Sequence, residues 1–207
     1  MADAATIQDT VYSRLQTPQV VDAAAEFSHY ILQGAPERLE HSRAVAERAM
    51  FLTLAVEDDQ APLLVAAAWL HDIGYAPGLK TTGFHPLDGA QHLRAVGWPQ
   101  LVCGLVAHHS GSRFVAHARG LDDPLAEFEY RENPLNDALT TADQTTGPHG
   151  RPMTVFERID DMLARHGDDS PNAQAHPKRG PYLLGAARRV AVRLESAGVD
   201  NTAHRIF

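Results

Sequence analysis

Residues Leu63 to Leu70 form an apolar, helix-forming run opened by Pro62 and closed by a turn at Ile73-Gly74. Proline suits the first turn of a helix, where its missing N–H breaks no hydrogen bond. The run reads as a central helix that delivers His71 and Asp72 side by side. Neighbouring residues on a helix point about 100° apart, because one turn takes 3.6 residues. An imidazole and a carboxylate in that position can both reach a metal held between several helices. An isolated His-Asp pair is ordinarily a core histidine beside a capping carboxylate. This pair has company, because His41, His85, His108, His109 and Asp143 recur at intervals suited to one helix each.

The rest of the chain follows the same spacing. Val20, Val21, Ala24, Phe27, Ile31 and Leu32 fall at helical intervals after Pro18, and Gly34-Ala-Pro36 ends that helix. Further helices are expected over 37–56, 85–96, 100–109, 113–119, 125–130, 134–143, 155–166 and 182–197. Leu87, Ala90, Leu93 and Val96 should face inward on one, and Val155, Phe156, Ile159, Met162 and Leu163 on another. Residues 76–84 and 145–152 are rich in breakers and read as loops, Asp122-Asp-Pro124 reads as a turn, and 167–177 as a polar, mobile stretch. Almost nothing alternates as a strand does, so the fold class is all-α, a helical bundle around a buried site. A chain of 207 residues fits one domain, with 1–17 as a loose arm or short first helix and 152–207 as C-terminal helices packed on the core.

Composition narrows the function. A net charge of −8 argues against a general nucleic-acid binder, which needs a basic face. It leaves room for a small phosphate ligand, since a metal brings local positive charge. Cys103 is the sole cysteine, so neither an intrachain disulfide nor a cysteine zinc site is expected, and its apolar setting suits a packed thiol. No apolar run reaches the length of a membrane span. The first residues lack the basic start and apolar core of a signal peptide, so a cytoplasmic protein is expected. Imidazole and carboxylate without thiolate suit one or two divalent transition metals, among Fe, Mn, Zn, Ni and Co. No sequence feature sets an oligomeric state.

The pattern His41…His71-Asp72…Asp143 resembles the HD superfamily of metal-dependent phosphohydrolases. The resemblance covers about 37–147 and runs through five segments in the family's order: HSRAVAERA (41–49), AAAWLHDIGY (66–75), HPLDGAQHL (85–93), LVAHHS (105–110) and LTTADQTTG (139–147). It implies a first metal on His41, His71, Asp72 and Asp143, with Asp72 bridging to a second metal on His85 and His108, beside which His109 stands. His109 is either a ligand or an orienting neighbour, and Glu37, four residues before His41, is an exposed first-turn carboxylate or a further ligand. His92 shares a helix with His85, and the His85-Pro-x-x-Gly89 pattern favours His85. The cyclic dinucleotide phosphodiesterases of the superfamily are a poorer match. Tyr75 stands where some carry lysine, and Gly-Ser-Arg-Phe follows Ser110 in place of their Gly-Tyr-Pro.

What the resemblance implies is hydrolysis of a small phosphorylated substrate, a phosphate ester or nucleotide, with His71 and Asp72 at the catalytic centre. Lys80 and Arg113, each close after a ligand segment, are the expected substrate cations; Arg119, Arg151 and His117 are solvated charges, as are Arg188, Arg189 and Arg193 on the last helix. The loop after Asp143 either closes over the site or merely joins helices. His29, His166, His176 and His204 have no partner at metal spacing. Two other functions fit the same ligands: a di-iron oxygenase of the HD fold, and a non-catalytic nucleotide sensor that keeps the metal shell.

Overall fold

The computed structural model describes residues 18–167, 169–199 and 205–207; the expected arm at 1–17 and His204 lie outside them. The architecture is all-α. Its helices are α1 (Pro18–Ile31), α2 (Pro36–Leu52), α3 (Ala61–Leu70), α4 (His85–Ala95), α5 (Gln100–His108), α6 (Ser112–Ala118), α7 (Asp122–Ala126), α8 (Pro134–Gln144), α9 (Val155–His166) and α10 (Pro171–Ser196). The sole pairing of extended backbone among the described residues is an isolated bridge between Thr146 and Pro152. No helix among the described residues is long and apolar enough to cross a membrane.

Helix α3 has no polar face, so it must be surrounded. It is: all of its residues but Leu63 and Trp69 are buried, and α1, α2, α5 and α8 pack around it. Proline opens α2, α3, α4, α8 and α10 in the first turn, where it fixes φ without removing a helical bond. After α3 the chain makes a tight turn over Ile73–Tyr75 and returns against α4. Gly74 permits that approach: a Cβ on it would lie 2.1 Å from the His85 carbonyl oxygen and 2.7 Å from the Gly89 nitrogen. Only a residue without a side chain lets the His71-Asp72 segment and His85 come so close.

Four expectations on the elements are corrected. The short helix spans Asp122–Ala126, upstream of the expected 125–130, because Pro124 sits in its first turn and needs no donor there. Val96 lies past the end of α4 and is exposed, and Phe156 points outward to pack on Phe207. The stretch expected to be mobile begins α10, which continues through Pro177 and Pro181. A proline inside a helix removes a hydrogen bond and destabilises it by about 3 kcal/mol. Tertiary packing overcomes this: Ala175, Arg179, Gly180, Leu183, Ala186, Ala187, Val190 and Leu194 bury one continuous face, and α6, α8 and α9 lie against it. Finally, Arg189 and Arg193 are not simply solvated. Both guanidiniums bond the buried carboxylate of Asp137 on α8, Arg189 at 2.6 and 2.9 Å and Arg193 at 2.9 Å.

Candidate metal centre

Five helices or their ends point side chains at one spot. His41 comes from the first turns of α2, His71 and Asp72 from the end of α3, His85 from the start of α4, His109 from the residue after α5, and Asp143 from the end of α8. Two groups result, His41 with His71 and Asp143, and Asp72 with His85 and His109. Within each group the donor atoms lie within 4.8 Å of one another. His41 Nε2 is 3.1 Å from Asp143 Oδ1, and His71 Nε2 is 3.9 Å from the same oxygen. Asp72 Oδ1 has His85 Nε2 at 3.3 Å, His71 Nε2 at 3.5 Å and His109 Nε2 at 4.0 Å around it, so it faces both groups.

The rings are held from behind. His71 donates from Nδ1 to the Ala68 carbonyl at 2.7 Å, His109 to Val106 at 2.6 Å, and His41 to Gly147 at 3.0 Å. A carbonyl only accepts, so each Nδ1 carries a proton and each Nε2 is turned to the interior, that of His41 onto the Asp143 carboxylate. His71 Nε2 is buried and has no hydrogen-bond partner. An orphan lone pair in that place is costly unless a cation meets it. Ligands at about 2.1 Å from one ion stand about 3 to 3.5 Å apart, close to the separations here. The residues therefore fit one or two divalent cations.

Electrostatics keep both carboxylates ionised and favour neutral rings at His85 and His109, but not at His41. Burial pushes the Asp72 carboxyl up, but its electrostatic interaction with the facing rings of His71, His85 and His41 outweighs it and holds it far below the carboxylate range. Asp143 is likewise held low, by its bond to His41 and by His71 and Arg158, against burial. Burial pushes His85 well down and, with the His71 charge, takes His109 to about 4. His41 goes the other way: burial lowers it, but the Asp143 bond and the Asp72 and Asp143 charges raise it above the usual value. Ionised carboxylates and neutral imidazoles are the forms that bind metal.

The cluster floors a cleft of about 470 Å³. Its walls carry Arg38, Arg119, Arg158, Arg165, Arg179 and His166. Arg38 Nη1 lies 3.4 Å from Asp72 Oδ2, with its guanidinium 3.8 Å over the Tyr75 ring, which in turn stacks on His85 at 4.0 Å. Arg158 Nη2 is 3.9 Å from Asp143 Oδ1, and its buried Nε has no partner.

Three expected site residues are not brought here. His108 ends α5 with Nε2 bonded to the Phe128 carbonyl at 2.8 Å and its ring against Tyr130. His108 is thus turned to the Phe128 side, whereas His109 leaves the helix with ψ 149° and turns inward. The Arg113 guanidinium is stacked among the rings of Phe114, Tyr130 and Tyr182, at 4.6, 4.1 and 4.5 Å, and lines no part of the cleft. Lys80 is exposed beyond the Pro77–Leu79 turn and also lies outside the cleft lining. Glu37 is exposed, and His92 stacks on Phe27. The loop after Asp143 reaches the cluster through the Gly147 carbonyl on His41.

Sequence reasoning missed Arg38, Arg158, Arg179, Ser110 and Gln144. Two carried a signal. Arg38 is three residues before His41 on one helix face, and Arg158 interrupts the apolar stripe of Val155, Ile159 and Met162. The Ser110 hydroxyl donates to Asp143 Oδ2, and Gln144 Nε2 donates to that oxygen at 2.9 Å; neither contact has a local signature. His166, set aside as a lone histidine, is on the cleft wall.

Comparison with curated proteins and with solved structures gives no match in either set. The profile of the HD domain family matches residues 38–171, which is more than half of the chain and spans every residue of both histidine–aspartate groups. The chain therefore belongs to the HD domain family, whose proteins are generally metal-dependent phosphohydrolases.

Proposed function

We propose that this protein is a metal-dependent phosphohydrolase acting on a small phosphate ester or a nucleotide. The observation that carries the reading is the charge of the cleft. In a chain of net charge −8, arginines gather on the walls directly above two groups of metal-type ligands. Guanidinium forks match phosphate oxygens in shape and charge, so such a cleft suits a phosphoryl group over a metal centre.

In this reading His41, His71 and Asp143 would hold one cation and Asp72, His85 and His109 a second, with Asp72 facing both groups. A divalent cation held there would supply Lewis acidity at the phosphoryl oxygens and would lower the pKa of water towards neutrality. Arg38 and Arg158 grip the phosphoryl oxygens and stabilise the charge that builds on them. Asp72 and Asp143 stay ionised and balance the cations. The net change adds water across the ester P–O bond: water oxygen joins phosphorus, and the leaving alcohol takes a proton from solvent. The Tyr75 ring, stacked on His85 and under Arg38, fixes the orientation of both.

The test is metal analysis of the purified protein, followed by a phosphoester and nucleotide panel with the found metal restored. Phosphate release that a chelator abolishes and the metal restores is the expected result. Iron-dependent oxygen uptake without phosphate release would instead assign an oxygenase. Stoichiometric nucleotide binding without turnover under every metal would assign a sensor.

A further inference from the structure

The chain between α5 and α6 reverses through two successive left-handed residues, Ser110 (φ 51°, ψ 32°) and Gly111 (φ 65°, ψ 32°). Glycine is required at the second, where a Cβ would lie 2.9 Å from the Tyr182 ring. Serine at the first is strained, and such strain persists only where surrounding contacts over-determine it. Those contacts are present on both sides. The Ser110 hydroxyl donates to Asp143 Oδ2 and accepts from Gln144 Nε2 at 3.1 Å, and the Ser110 carbonyl accepts from Arg179 Nε at 2.8 Å.

Arg179 is an odd residue for the middle of a helix. It is buried and bonds only neutral acceptors in the hydrogen bonds it makes, Ser110 O and Asn172 Oδ1 at 3.1 Å. Among the described residues it has no carboxylate within ion-pair distance. Burying a guanidinium against neutral acceptors is expensive, which marks the position as one where its geometry counts. It also stands on α10, beyond the residues 38–171 that match the family.

We infer that Arg179 is a positioning residue for Asp143, acting through the left-handed Ser110. By pinning the Ser110 carbonyl, it aims the hydroxyl at Asp143 Oδ2. That oxygen, shared by Ser110 and Gln144, is thereby occupied, and Oδ1 is left to face His41 and His71. The C-terminal helix thus selects which oxygen of Asp143 is the ligand. The inference rests on the metal-binding reading above, and its test reads metal binding directly, without turnover.

The experiment is a cobalt(II) titration, followed by the visible absorption of the bound ion, on the full chain and three variants: Arg179→Met, Ser110→Gly, and the double variant. Glycine suits the left-handed turn, so Ser110→Gly removes the hydroxyl and keeps the backbone. Loss of a group that orients a metal ligand lowers affinity by about 10- to 100-fold. Each single variant should therefore weaken one of the cobalt sites by about tenfold, with helical circular dichroism unchanged. The double variant should be no weaker than Ser110→Gly alone, because Arg179 acts through the hydroxyl already removed. An Arg179→Met protein that folds and binds cobalt as the wild type does overturns the inference. So do single effects that multiply in the double variant. If Arg179→Met fails to fold, unchanged affinity in Ser110→Gly overturns it just as well. A wild-type protein that takes up no cobalt sinks the metal reading itself, a different outcome from either.

Discussion

Helix α8 buries two aspartates six residues apart, and their surroundings differ in kind. Asp137 accepts three bonds from Arg189 and Arg193, spread over both oxygens, so the chain itself closes that site. Asp143 has one oxygen held by Ser110 and Gln144, while the other faces imidazoles at 3.1 and 3.9 Å, one of which, His71, has no partner at Nε2. A carboxylate neutralised by its own chain's cations ties helices together. A carboxylate that turns one oxygen to two buried imidazoles is placed to hold a cation with them. Burial is alike at both positions, 1% and 6% exposed, so it is the partners and not the burial that separate a structural acid from a ligand.

The sharpest way to break the comparison is to remove the ligands. Asp143→Ala should abolish turnover and empty the first site with the helical fold intact, whereas Asp72→Ala should cripple both sites. His85→Ala should leave about one metal per chain, on the two-metal scheme. Metal content by mass spectrometry of the three proteins decides; a His85→Ala protein with the full metal count and activity would show a single-metal centre. Gly74→Ala comes next. Its Cβ would collide with backbone at 2.1 Å, so the turn and α4 must separate, and the Asp72–His85–His109 site should be lost along with several degrees of melting temperature.

At the other aspartate the pattern should invert. Arg189→Met leaves part of a buried carboxylate unpaired and should destabilise the fold by about 2 kcal/mol in urea denaturation, with metal affinity unchanged. A loss of metal affinity there would mean that the two aspartates are coupled along α8. A smaller effect follows from pH. His85 and His109 are depressed in the folded protein, His109 to about 4, so between the unfolded value near 6.5 and that point the unfolded chain binds more protons. Metal-free protein should therefore lose stability as pH falls from about 6.5 towards 4, opposed in part by His41, whose pKa is raised. His109→Gln should flatten the melting-temperature profile over that range. The smallest effect is expected from Lys80→Ala, which should change kcat/KM less than twofold, while Arg38→Met should lower it by tenfold or more; equal effects would return Lys80 to the site.

The helices were readable because their signals are local. Proline in first turns, apolar residues at three and four, and the unbroken apolar run of α3 each act over one or two turns. Six of the seven residues expected to bind metal meet in one cluster for a related reason: each is tied to the end or first turns of a helix whose direction follows from its apolar face. The failures are equally specific. Phe156 reads as inward on periodicity, yet α9 buries the neighbouring Val155, Ile159 and Met162 and leaves it outside. Residues 167–177 read as mobile and the last helix as beginning at 182, yet packing on α6 and α8 holds α10 through Pro177 and Pro181.

The sequence by itself determined the helical class, the membership of the HD segments and the chemical type of the site, because residue identity and short-range spacing carry all three. Tertiary structure alone decided which of two adjacent histidines joins the cluster, which arginines line the cleft and which oxygen of Asp143 faces the histidines. Those outcomes depend on where a chain leaves its helix and on what packs opposite: ψ 149° at His109, three aromatic rings around Arg113, and α10 laid against the Ser110 turn. Contacts between residues as distant as Ser110 and Arg179 are set by the summed packing of the bundle, and no local pattern encodes them.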